Sequence, residues 1–265
     1  MSALTIRMNT NNVLKKTYAI LTVRWPEVML VTVLQVGLML LLERAMVVGG
    51  AGQTDQGTIP DGAMFALGFG CMLMAVVWQM LYLGFLRTAA LNGAAPHEPM
   101  TLLVTGRGFF WRLLSVQFVL GAMLWLLAGL LAGLVGSLLG YQSAAAFPRW
   151  LLETAGVGAM ALLVKPFFLI PALILALNTS IPEALGLMRQ FRLGDLGALL
   201  KAYALGLTVI AAVAIAATLA PHGTRGYYVA SGISHLTQSL IILTLLLATV
   251  LFLVPEEEDP DGPAI

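Results

Sequence analysis

One ionisable side chain interrupts a long apolar segment of this chain. Lys165 is the only charged residue between positions 154 and 178, and Pro166 and Pro171 follow it. In a straight helix it lies roughly 16 Å from one end of the segment and roughly 20 Å from the other. An ammonium group near the middle of a bilayer costs about 3 kcal/mol or more, so we expect it to have a partner or to face water.

Polar side chains inside other apolar segments are candidate partners for this lysine. They are the amides of Gln35, Gln79 and Gln117. Such amides stabilise helix pairs by about 0.6 kcal/mol per bond, or they contact a substrate. The carbonyl oxygens that Pro166 and Pro171 leave without a helical donor are alternative acceptors. Two roles are therefore open for Lys165: an anchor between helices, or a group that binds an anion or lipid headgroup.

Most catalytic motifs are missing from the sequence. The three histidines are far apart, and no zinc, paired-cysteine, calcium-loop, nucleophile-elbow or phosphate-loop pattern occurs. We therefore predict a protein that is not an enzyme and that holds no metal or cofactor. A net charge of +1 also argues against nucleic acid as a partner.

Composition predicts a polytopic membrane protein. Hydrophobic residues make up 59% of the chain, charged residues 10%, and the mean hydropathy is +0.91. Apolar runs long enough to cross about 30 Å of hydrocarbon recur along the chain. We predict an all-α bundle with six spans, over residues 28–48, 63–86, 114–139, 154–178, 198–219 and 229–253. The lipid bilayer is its first partner.

The distribution of basic residues predicts the orientation. One side would hold ten of them: Arg7, Lys15, Lys16, Arg24, Arg87, Arg107, Arg112, Arg189, Arg192 and Lys201. The other side would hold three: Arg44, Arg149 and Arg225. Because basic loops stay in the cytoplasm, we predict that both termini are cytoplasmic in a bacterial inner membrane.

Amphipathic basic segments precede the first, third and fifth spans. They cover residues 11–25, 100–111 and 181–191, and each ends in an aromatic residue beside an arginine. We predict interfacial helices there, and a threefold internal repeat is one hypothesis for the pattern. Residues 1–254 would form a single membrane domain, and the acidic stretch 255–265 a disordered tail.

Small residues form a ladder along the third span. Gly129, Gly133, Gly136 and Gly140 follow one another at spacings of three or four residues. Glycines at such spacing let helices approach closely, within one molecule or across a homo-oligomer interface. We predict that these four have structural roles.

The fourth span and the helix after it resemble a family pattern. Lys165, Pro171 and the run Glu183-Ala184-Leu185 are similar to the membrane domain of some bacterial glycerophosphodiester phosphodiesterases and to YciC-like inner-membrane proteins. The resemblance implies six spans and no known catalytic activity, with lysine replacing the usual arginine.

Two function hypotheses follow. The first is a non-enzymatic membrane module that acts as a scaffold, an accessory subunit of other membrane proteins or an envelope-homeostasis factor. The alternative is a small transporter or a lipid-binding or anion-binding protein with a cavity at Lys165.

Overall fold

The computed structural model describes residues 10–51, 61–141, 143, 147–220 and 224–254. Within these residues the chain forms α-helices and a short 3-10 turn, Leu193–Leu196, without strands. The helices are α1 (Thr10–Val23), α2 (Trp25–Ala51), α3 (Asp61–Asn92), α4 (Pro99–Leu138), α5 (Arg149–Leu162), α6 (Val164–Leu177), α7 (Ile181–Gln190), α8 (Ala198–Thr218) and α9 (Arg225–Leu253). The predicted acidic tail lies outside the described residues, as does most of the loop between the first two spans.

The predicted all-α membrane bundle is confirmed. Five helices, α2, α3, α4, α8 and α9, are long and apolar enough to cross a membrane. The pair α5 and α6 passes the same test together, although the two helices meet at 59°. Counting this pair as one broken span gives six.

The break in the fourth span has a local cause. Pro166 has no N–H for the carbonyl of Leu162, and its ring clashes with that carbonyl in a continuous helix. α5 therefore ends at Leu162, and the Leu163 backbone leaves the helical region before α6 begins at Val164. The straight helix predicted over residues 154–178 is thus two half-helices.

The amphipathic segments differ in how they join the spans. α1 and α7 are separate helices, whereas the segment at 100–111 is continuous with the third span in the 40-residue α4. α1 buries Val13, Thr17 and Ile20 and leaves Lys15 and Lys16 exposed, as an amphipathic helix does. We call the side of the bundle formed by α1, residues 99–112 of α4, and α7 the elbow face.

The best-packed part of the core lies next to the elbow face. Every residue of α6 from Phe168 to Ala176 is buried, and α6 packs between α3, α4, α7 and α9. Further from the elbow face, large apolar side chains of α4 point outward: Phe118 is 79% exposed and Trp125 is 82% exposed. An apolar exterior of this kind is stable in lipid and unfavourable in water, which fits a membrane-embedded protein.

Candidate functional site

Lys165 is bonded to the end of the helix that follows its own span. It lies in the first turn of α6, is half-buried, and donates from Nζ to the carbonyl oxygen of Phe191. Phe191 is the residue after α7, which folds back along α6. A cation at a helix C-terminus interacts favourably with the helix dipole and with carbonyls that have no helical donor. This acceptor was not among those that the sequence offered.

The bend also changes the depth of Lys165 in the bundle. α5 and α6 contain 14 residues each, so each is about 21 Å long. If α5 stands along the membrane normal, α6 is tilted from it by 59° and rises about 11 Å in that direction. Together the two helices then cover about 32 Å, close to the hydrocarbon thickness. Lys165, the second residue of α6, is then about 10 Å from the elbow-face end of the pair and about 6 Å from its middle, whereas the straight helix predicted from sequence puts it near the midplane.

Two arginines hold the other end of α6. Arg87 of α3 donates to the carbonyls of Leu175 and Ala176, the latter at 2.9 Å. Arg112 of α4 donates to Asn178 Oδ1 at 2.9 Å and to the Thr179 carbonyl at 3.2 Å. The Arg87 bonds satisfy carbonyls that the end of α6 leaves without donors, and the Arg112 bonds hold the two residues that follow the helix.

The two arginines share an aromatic neighbour. Their guanidinium groups lie 5.6 Å and 5.2 Å from the centre of the Phe109 ring, for Arg87 and Arg112 respectively. Cations at this distance from an aromatic face are attracted to it. Phe109 therefore helps to fix both side chains at the end of α6.

A third basic anchor joins α2 to the end of α3. Arg24 is completely buried and forms an ion pair with Glu27, and its Nη2 donates to Thr88 at 2.8 Å. Glu27 also accepts from the backbone N–H of His97 at 2.8 Å. Sequence reasoning missed this network, although Arg24 and Glu27 have the i, i+3 spacing of a helical ion pair.

The intramembrane glutamines meet at a cavity of about 270 Å³. Gln79 Nε2 donates to Gln117 Oε1 at 2.7 Å, and Gln35 and Pro171 contribute to the same wall. Lys165 and Pro166 are not part of the wall. The structure therefore brings together the predicted amides but separates them from the predicted cation.

The side chains around this cavity are uncharged. Those with polar atoms are Gln35, Trp78, Gln79, Tyr82, Gln117 and Ser239. The rest of the wall is apolar and comes largely from α3, α4, α6 and α9. Such a site can form hydrogen bonds with a neutral group, but it provides no counter-ion for a charged one.

In the described part of the chain, no group of three His, Cys, Asp or Glu residues could hold a metal.

The predicted glycine ladder has mixed surroundings. A Cβ atom at Gly129 or Gly133 would meet nothing within 4 Å, whereas one at Gly136 would lie 2.4 Å from the Phe147 ring. Gly140 ends α4 with a φ of +84°, which favours glycine. A close approach of two backbones occurs elsewhere, between α3 and α4, and the glycines Gly84 and Gly106, one on each helix, could have indicated it.

Together these features define an α-helical integral membrane protein with a largely apolar, uncharged cavity and a basic elbow face. Comparison with family models, with curated proteins and with solved structures finds no match for this chain.

Proposed function

We propose that this protein is a non-enzymatic membrane module whose elbow face binds other membrane components, as a scaffold or accessory subunit does. The single observation that carries the proposal is the way basic side chains fix the elbow face. Arg24, Arg87, Arg112 and Lys165 are all bonded to backbone or side-chain groups within the bundle. These four charged groups are therefore already used for structure.

The elbow face also carries exposed basic and aromatic side chains that a partner protein can contact. Lys15, Lys16 and Tyr18 of α1 are exposed, as are Arg107 and Trp111 of α4. Arg107 and Trp111 are of residue types enriched at protein interfaces, and a fixed backbone limits the conformational entropy that is lost when a partner docks. The predicted cytoplasmic orientation would direct this face to the inner side of a bacterial membrane.

Site-specific photocrosslinking in native membranes tests the proposal. A photoreactive amino acid at Arg107 should give one discrete protein adduct, and Arg112→Gln should weaken that adduct by loosening the end of α6. The matched control is the same probe at Trp125, on the outward apolar surface of α4, where only lipid adducts are expected. The absence of a discrete protein adduct at Arg107, Lys16 and Arg189 would contradict the proposal. An adduct with twice the mass of the chain would identify a second copy as the partner.

The cavity favours a second candidate function, the binding of a lipid or small molecule. Its wall contains Gln35 and Gln79, which the sequence offered as binding residues, but not Lys165, so only part of the predicted binding set lines the cavity. Mass spectrometry of small molecules that co-purify from native membranes tests this candidate. A stoichiometric ligand lost in Gln79→Leu would support it, and a preparation without such a ligand would contradict it.

A further inference from the structure

We propose that the cavity binds the hydroxyl end of a neutral, lipid-soluble alcohol. This inference rests on the second candidate function and is independent of partner binding at the elbow face. The cavity lies well inside the bundle: Gln35 is 10 residues after Trp25, the first residue of α2, which places it about 15 Å along the helix. A ligand that reaches this depth enters from lipid more easily than from water.

Polar groups in the wall define what the ligand must offer. Gln79 is 5% exposed and Ser239 is 4% exposed. Gln79 bonds Gln117 through Nε2, which leaves its Oε1 atom as an acceptor, and the Ser239 hydroxyl can both donate and accept. A polar atom that is buried without a partner costs about 1–3 kcal/mol.

Of two further groups near the cavity, one needs a hydrogen-bond acceptor and the other needs a donor. The Nε1–H of Trp78, whose side chain lines the cavity, is buried without an acceptor. Phe167, also in the wall, has a carbonyl oxygen that Pro171 cannot satisfy because proline has no N–H. A hydroxyl group both donates and accepts hydrogen bonds, so one hydroxyl can serve a donor and an acceptor in this wall.

The rest of the wall selects against charge and for an apolar body. Phe167, Phe168 and Leu246 contribute apolar surface, and the wall contains no Lys, Arg, Asp or Glu. A phosphate or carboxylate would lose its hydration there without gaining a counter-ion. At about 270 Å³, the cavity is smaller than most drug-sized sites. It therefore suits the polar end of a longer molecule whose chain extends among the helices.

Photoaffinity labelling with a long-chain alcohol carrying a diazirine tests this inference. The full chain is reconstituted in phosphatidylcholine vesicles, and the labelled peptides are mapped. Labelling should fall within residues 78–83 or 167–171. A diazirine fatty acid of equal length is the charged control, and it should label these peptides about tenfold less. A factor of ten corresponds to about 1.4 kcal/mol of binding free energy. Equal labelling by the two probes, or labelling elsewhere only, would overturn the inference.

A cavity-filling variant provides the second arm. Gly121 lines the cavity, and a Cβ atom at this position would meet nothing within 4 Å, so Gly121→Phe should fill the space without disturbing the backbone. It should abolish cavity labelling while the protein keeps its thermal stability. Gly129→Phe is the matched control, two turns along α4 at another open position, and should label normally. Undiminished labelling in Gly121→Phe would mean that the label reaches these peptides from outside the cavity, which would overturn the inference.

Discussion

Gly84 of α3 lies directly against the backbone of Leu102 in α4. A Cβ atom added to Gly84 would be 1.9 Å from the Leu102 carbonyl oxygen. The contact is reciprocal along the same helix pair, since a Cβ atom at Gly106 would be 1.8 Å from the Met80 carbonyl oxygen. Backbone atoms at such positions cannot move aside as the end of a flexible side chain can, so both glycines are required for this approach.

Gly84→Ala should therefore destabilise the bundle. Separating two packed backbones costs about 1–3 kcal/mol or more, which should lower the thermal unfolding temperature in detergent. Gly108→Ala is the control, because its new methyl group would meet nothing within 4 Å and alanine stabilises a helix interior by about 0.5–1 kcal/mol relative to glycine. Equal unfolding temperatures for the two variants would contradict the close contact.

Lys165→Met should leave the fold intact but loosen the connection between α7 and α8. The change removes the donor to the Phe191 carbonyl, and for a half-buried group we expect a loss of about 1 kcal/mol, or roughly fivefold faster hydrogen exchange at residues 190–196. Lys165→Arg should retain part of the protection. Lys201→Met, at an exposed position of α8, is the control. If exchange is unchanged in Lys165→Met, the lysine is not an anchor.

Arg112→Gln should release the end of α6. It removes the bonds to Asn178 Oδ1 and to the Thr179 carbonyl, for which we expect a loss of about 1–2 kcal/mol in the free energy of unfolding. The exposed Arg107, on the same helix, gives the matched control Arg107→Gln. Denaturant unfolding followed by tryptophan fluorescence distinguishes the two, and a larger effect at Arg107 would argue against the α6 anchor.

The start of α7 should depend on pH through Glu183. The Ser180 backbone N–H donates to Glu183 Oε2 at 2.8 Å, and this bond, with one from the Ser180 hydroxyl, lowers the pKa of that carboxyl group. A lowered pKa in the folded state means that the stabilisation is present at neutral pH and is lost as the pH falls through the folded pKa, below the ordinary glutamate value of about 4.3.

Hydrogen exchange in the first turn of α7 measures this effect. Exchange, corrected for its intrinsic pH dependence, should rise on acidification in the native protein. The rise should be absent in Glu183→Gln, which cannot titrate. A native protein whose first turn is equally protected across this pH range would show that the capping box contributes nothing.

Cysteine labelling checks the predicted orientation. In a Cys71→Ser background, a cysteine at Gln53 should react with an impermeant reagent from outside the cell, because that loop carries few basic residues. A cysteine at Arg107, on the elbow face, should react only after the membrane is opened. The reverse pattern would place both termini outside.

The sequence by itself determined the class of protein, the spans and the amphipathic segments. Hydropathy and charge are sums over neighbouring residues, so a window of about 20 residues is enough to recognise a span. The presence of Pro166 and Pro171 in the fourth span was equally visible, but the straight helix predicted there was wrong. A proline indicates where a helix is weakened, whereas the 59° angle depends on how α6 packs between its neighbours.

Only the tertiary structure decided the partner of Lys165, the meeting of the glutamines and the Gly84 contact. Phe191 is 26 residues from Lys165, and Gln117 is 38 residues from Gln79. Contacts over such separations depend on which helices become neighbours and on how far each helix is shifted along its axis relative to the next. Small differences in helix packing determine both. A backbone carbonyl such as that of Phe191 also has no side-chain identity to be recognised in a sequence, which is why the predicted acceptors for Lys165 were all elsewhere.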